Sequence, residues 1–176
     1  MGRPKLLERI GGRTLIARAL AAAGARPVVV VASPAVAAEL AASGDAARVR
    51  VVRNDEPDRG MNHSLRLAND AIEAGEPIAV LLADLPDCDA AAVDRVVRAY
   101  DEGADVVVPR AGERFGHPVV FGPAARRAIA ALGDGDGLHR VRDAANLRRR
   151  VVPVEDARPF EDIDTDADLA ARAARD

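Results

Sequence analysis

The chain predicts a single α/β domain, with helices wound on both faces of a mostly parallel sheet. Three observations lead there. Short apolar runs rich in Val and Ile alternate with segments of helical periodicity along the whole length. Most connections are short and marked by glycine. The 176 residues suffice for one core, and no linker or internal repeat divides them.

The elements follow in order. A helix opens at Thr14 and runs to Ala23, then come a strand at Val28–Ala32, a helix at Ala35–Ala42 and a strand at Val49–Arg53. A polar loop leads into the helix His63–Ala74, for which Asn62 or Ser64 is the expected cap. The apolar run Ile78–Ala83 reads as a buried strand, and Asp87 or Asp89 can cap the helix Ala90–Glu102. Strands are expected at Ala104–Pro109, Val119–Phe121 and Arg150–Val154, with helices at Pro123–Leu132 and Leu138–Ala145 between the last two. A final helix, Asp166–Ala174, is capped by Thr165 or Asp166, and Gly24, Gly44, Gly75 and Gly103 stand where helices should stop.

Composition narrows the function classes. Aromatics make up only 2% of the chain, so the core must be aliphatic. The 25 basic and 28 acidic residues are intermingled at net charge −3, which leaves no footprint for nucleic acid; Arg148-Arg149-Arg150 reads as a solvated strand entry. A single cysteine, Cys88, excludes an intramolecular disulfide framework and fits a reducing cytoplasm. No apolar stretch is long enough to cross a bilayer, and no segment reads as a signal peptide, so no membrane partner is expected. Gly133–Gly137 lacks the later glutamate of a calcium loop and reads as a flexible turn.

Chemistry concentrates in four loops and one strand end. In Ile78-Ala-Val-Leu-Leu-Ala-Asp84-Leu-Pro an apolar strand ends on a carboxylate at the carboxyl edge of the sheet, where open α/β folds bind ligands. Asp84 lies too early to cap the next helix, and is a candidate metal ligand. Lys5, after Gly2-Arg3-Pro4, can neutralise phosphate or be a solvated charge. The loop Asn54 to Leu65 brings Gly60, Asn62, His63 and Ser64 to a helix start, whose free N–H groups suit a phosphate or ribose oxygen. Gly116 would let a ligand approach the backbone of the Arg114–Phe121 segment, where Pro118 holds His117 extended. Alternation puts Asp162 and Asp164 on one face, so that one of them could meet Asp84 at a shared cation.

Together these segments resemble the molybdenum cofactor nucleotidyltransferase family, especially its cytidylyltransferase branch, within the nucleotide-diphosphate-sugar transferase type of Rossmann-like fold. The resemblance rests on Met1-Gly-Arg-Pro-Lys-Leu-Leu7, Gly60-Met-Asn-His-Ser-Leu65, Ala83-Asp-Leu-Pro86, Gly116-His-Pro118 and Asp162-Ile-Asp-Thr-Asp-Ala-Asp-Leu169, in the family's order. It implies a three-layer α/β/α fold and transfer of a nucleoside monophosphate from CTP or GTP to a phosphate acceptor such as molybdopterin, with pyrophosphate leaving. By the same resemblance Asp84 and Asp164 would hold Mg²⁺, Lys5 would counter phosphate charge, and Gly2, Arg3, Asn54, Gly60, Ser64 and Ala83 would line the nucleotide. Gly116 and His117 would lie on the acceptor side.

The family also places a first strand and Gly-rich loop ahead of the Met-Gly-x-Pro-Lys motif. This sequence starts within that motif, so the expectation is a missing first strand, with a start codon placed too late as the favoured cause over a natural truncation or a degenerate protein. Val28–Ala32 and Ile78–Ala83 would then lack their shared neighbour. The alternatives are a non-catalytic binding or assembly protein and a sugar-phosphate nucleotidyltransferase.

Overall fold

The computed structural model describes residues 4–42, 48–101 and 103–174. Met1, Gly2, Arg3, Gly44 and Glu102 therefore lie outside the described residues.

After a 3₁₀ turn, Lys5–Leu7, a small antiparallel hairpin pairs β1 (Arg9–Ile10) with β2 (Arg13–Thr14). This hairpin was not expected, being only two residues deep. Thr14 then caps α1 (Leu15–Ala22), its hydroxyl accepting from the Ala17 N–H. β3 (Val28–Ala32) pairs in parallel with β4 (Val49–Arg53), and α2 (Pro34–Ala42) crosses between them. α1 and α2 cover this pair through Ile16, Leu20, Val36 and Leu40.

The larger sheet places β8 (Val119–Phe121) between β5 (Ile78–Val80) and β6 (Val106–Ala111), antiparallel to both. β6 carries β9 (Arg149–Pro153) in parallel and the short return strand β7 (Arg114–Phe115). β5, β6 and β9 thus share one direction and β8 is reversed among them. Alternation along the strands feeds two layers. Val106, Val108, Val119 and Phe121 pack on α3 (Met61–Asp70) and α5 (Pro123–Ala130), whereas Val107 and Val120 pack on Val96 of α4 (Ala90–Arg98). A short α6 (His139–Arg142) and the last helix, α7 (Asp166–Ala173), complete the fold. Among the described residues, β3 and β5 are paired neither with each other nor with a common strand.

The differences from expectation are local. β5 stops at Val80, because Val80 pairs with Val119 and the next position on β8's side is Pro118, which has no N–H to continue the ladder. Leu81 and Leu82 instead pack with Leu85 and Val93 beneath α1 and α4. Asp89 caps α4 while Asp87 receives Arg172 of α7. Gly24 and Gly75 adopt the left-handed conformation expected of a helix stop; Gly103 does not.

Candidate functional site

Three segments far apart in sequence converge beyond the end of β5. Asp84 sits in the turn that follows the strand, and its carbonyl accepts the N–H of Ile163 at 3.1 Å. Ile163 is buried with Ile10 and Leu15, so this backbone bond is anchored from both sides. That anchorage delivers the next residue, Asp164, to the same point. Lys5, at the start of the first 3₁₀ turn, donates from Nζ to Asp84 Oδ2 and Asp164 Oδ1, both at 3.1 Å. Asp162 stays exposed and takes no part in this bridge.

The electrostatics suit a cation between two carboxylates. Partial burial, the largest influence, pulls the Lys5 ammonium down, yet hydrogen bonds and charge from Asp84 and Asp164 together hold it above the ordinary lysine value. One donor of the ammonium remains, and its side chain is 25% exposed. Asp164 is held in place by a capping box, in which Thr165 and Asp168 satisfy each other's N–H groups at the start of α7. The cap of α7 is Thr165. The ammonium acts as a stand-in ion: both carboxylates aim at one point able to hold positive charge. Among the described residues, no group of three His, Cys, Asp or Glu side chains forms a cation site unaided. A magnesium ion that shares its shell with phosphates and water needs only one or two carboxylates, so the donor set fits.

His117 lies behind this group. Its Nδ1 is 3.1 Å from the Val80 carbonyl, an acceptor, so Nδ1 carries the hydrogen and Nε2 of the neutral ring is left as an acceptor. Burial pushes the imidazole below its ordinary value; Asp84 pulls it up and Arg142 pulls it down. The ring thus feels both the carboxylate site and an arginine on α6. At Gly116 the close approach is made by Phe160 rather than by a ligand, since a Cβ there would stand 2.0 Å from the Phe160 ring. The Arg114 guanidinium donates to the Phe160 carbonyl at 2.8 Å and ties the same two segments together.

The loop before α3 is shaped by its own polar groups. Asn54 is buried, donates to Ser64 Oγ at 3.0 Å, and accepts the Glu56 N–H at 2.9 Å. Neither Asn54 nor Asn62 nor Ser64 caps α3; its N-cap is Gly60, at φ 86°, without a side-chain bond. A side chain at that φ would be strained, so glycine sets the entry angle, and the N–H groups of Met61, Asn62 and His63 have no partner among the described residues. Asn62, missed as anything but a cap, donates to the Gly133 carbonyl at 2.9 Å and to the Asp136 carbonyl. Together with Asp134, which receives Arg59 and Arg66, it straps the Gly133–Gly137 turn to α3; that turn is pinned, not flexible. Ala83 packs its methyl against the α1 and β3 cluster. Cys88 is buried and its thiol is pushed up to about 11 by desolvation, which leaves it unreactive.

The MobA-like NTP transferase domain matches residues 1–151. The chain belongs to that family. Its members are nucleotidyltransferases, and the Asp164 segment lies beyond the matched stretch. Among solved structures, Rv0371c from Mycobacterium tuberculosis H37Rv superposes with a TM-score of 0.81 at 24% identity, covering 99% of this chain and 91% of that one. The same protein has also been solved in complex with manganese. A nucleotidyl transferase from Methanothermobacter gives 0.77 at 26% identity, over 97% and 84% of the two chains. Molybdopterin-guanine dinucleotide biosynthesis protein A from Archaeoglobus fulgidus gives 0.74 at 16% identity, over 99% and 91%. No curated protein matches the chain. No helix of the described residues is long and apolar enough to cross a membrane.

Proposed function

We propose that this MobA-like transferase moves a nucleoside monophosphate, with CTP expected ahead of GTP as donor, onto the phosphate of an acceptor such as molybdopterin, in a Mg²⁺-dependent reaction that releases pyrophosphate. The observation that carries the reading is the meeting of Asp84, Asp164 and Lys5 at one point. Phosphoryl transfer asks little covalent chemistry of a protein; alignment and charge neutralisation do most of the work. Asp84 and Asp164 would hold Mg²⁺, which supplies a positive charge for the triphosphate oxygens. Lys5 adds a second, protonated at any working pH. The N–H groups of the first turn of α3 suit a phosphate or ribose oxygen, in a loop that Asn54 and Ser64 keep in shape. On the acceptor side, neutral His117 offers Nε2 to a hydrogen of the acceptor. Manganese in Rv0371c supports a hard divalent cation, and the single buried thiol supports a cytoplasmic setting.

The same observation also favours a second reading. Lys5 already bridges both carboxylates, as it would in a non-catalytic binding protein. The test is incubation of the chain with CTP or GTP, Mg²⁺ and molybdopterin, with sugar phosphates in parallel, while pyrophosphate release is followed. Cation-dependent release with molybdopterin supports the proposal, and release with sugar phosphates alone reassigns the acceptor. Absence of turnover with every pair overturns the transferase reading.

A further inference from the structure

The transferase reading leaves unused a ring surrounded by positive charge. The centroid of Phe115 in β7 lies 4.4 Å from Cζ of Arg142, 5.3 Å from that of Arg149 and 5.9 Å from that of Arg110. The three arginines come from α6, β9 and β6. The face of an aromatic ring attracts cations and lets planar guanidiniums stack, which offsets part of their repulsion. Carboxylates answer only some of that charge. Asp143 accepts Nε and Nη2 of Arg142, at 3.0 and 2.7 Å, and also Nη1 of Arg149. The Arg142 hydrogen bonds accordingly hold its carboxyl below the ordinary range. Arg110 is exposed and makes no ion pair among the described residues. Three guanidiniums thus face one bonded carboxylate, a local positive surplus on a chain of net charge −3. Nη1 of Arg142, Nε and Nη2 of Arg149 and the whole fork of Arg110 have no hydrogen-bond partner among the described residues.

We propose that Arg110, Arg142 and Arg149, gathered on Phe115, form a second anion site that takes an anionic group of the acceptor substrate other than the phosphate that reacts. Forks arriving from three elements suit a tetrahedral oxyanion better than a planar carboxylate, which one fork would satisfy. Position argues for the acceptor. Phe115 runs directly into Gly116 and His117, and the His117 ring lies within electrostatic reach of both Arg142 and Asp84. An acceptor spanning that ring places one phosphate near the carboxylates and a second anionic group on the arginines. The word "acceptor" rests on the transferase reading; the anion site itself rests on the arginines.

The test titrates inorganic phosphate into the full chain by calorimetry at low ionic strength, without nucleotide or divalent cation. Wild type should bind saturably, the R110Q/R149Q variant at least ten-fold more weakly, and K5Q as wild type. Both substituted arginines are on the surface, and circular dichroism checks that the fold is kept. With molybdopterin as acceptor, R110Q/R149Q should raise its KM at least ten-fold and leave the KM for CTP unchanged. Phosphate binding that is absent in wild type, unchanged in R110Q/R149Q, or lost instead in K5Q overturns the inference. Loss of phosphate binding in R110Q/R149Q, in a chain that turns over no nucleotide, upholds the anion site and removes the transferase reading.

Discussion

Lys5 and Arg126 are both cations drawn inward by distant partners, and they end in opposite conditions. Arg126, on α5 and only 5% exposed, donates from Nε to the Asn69 side chain, from Nη1 to the carbonyls of Glu73 and Glu76, and from Nη2 to those of Asn69 and Ile72. All five of its donors are used, four of them on backbone carbonyls at the end of α3 and in the loop that follows it. Lys5 uses two of three donors, both on carboxylates, and stays a quarter exposed. A saturated charge on backbone carbonyls fastens two elements. An unsaturated charge between two carboxylates can be exchanged for another cation. Saturation therefore separates a structural polar centre from a functional one better than burial or pocket shape does, because the concavity lined by Asn69, Ile72 and Glu73 lies beside Arg126.

That contrast can be broken by substitution. Arg126→Met should produce the largest change: about 3–5 kcal/mol of stability lost in urea unfolding, since a buried charge network is broken and its carbonyls are orphaned. Turnover per folded molecule should survive, and a loss of turnover at unchanged stability would reverse the assignment. Asp84→Asn should do the opposite. We expect kcat to fall about 10²–10³-fold in pyrophosphate release, as when a preorganised electrostatic contact is removed, while the urea midpoint shifts little. A collapse in stability would make the Lys5 bridge a structural clasp. Lys5→Gln removes one charge-assisted bond to phosphate, worth about 1.5–3 kcal/mol, and should lower kcat/KM for the nucleotide by about ten-fold or more at neutral pH.

Thr165→Ala tests whether the capping box matters to the site. About 1 kcal/mol of stability should go, and a modest fall in kcat should accompany it if the cap positions Asp164. The smallest effects concern pH. Asp134 and Asp143 sit below the ordinary carboxylate range, chiefly through hydrogen bonds from Arg66 and Arg142. Their contributions are present above the unfolded carboxylate value and are lost as pH falls through the depressed folded values. Lys5 is raised, so its contribution is intact below the ordinary lysine value and is lost as pH rises through the folded one. Thermal midpoints measured across pH should show Asp134→Asn flattening the acid limb alone and Lys5→Gln the alkaline limb alone.

Much of this was legible beforehand. Nearly every strand and helix is where periodicity placed it, because alternation and the helical repeat report which face is buried. Asp84 was legible as an acid at the end of an apolar strand, and Lys5 and Asp164 through the ordered motifs. Arg126 was not, being one arginine among many in an arginine-rich chain. Asn62 read as a cap, and Asn54 and Ser64 as loop or cap residues that the resemblance would set against the nucleotide, whereas Asn54 bonds Ser64 and Asn62 holds a turn about seventy positions on. Gly116 looked like room for a ligand, and the room is filled by Phe160.

By itself the sequence determined the α/β alternation, the aliphatic layers and the family, since these depend on local periodicity and short motifs. Only the tertiary structure decided which cation is saturated and which is open, that Lys5 bridges Asp84 and Asp164, and that three arginines share the Phe115 ring. Each is a meeting of side chains from separate elements. The chain's pattern sets which face a residue lies on, whereas the distance between two faces is set by how the elements pack.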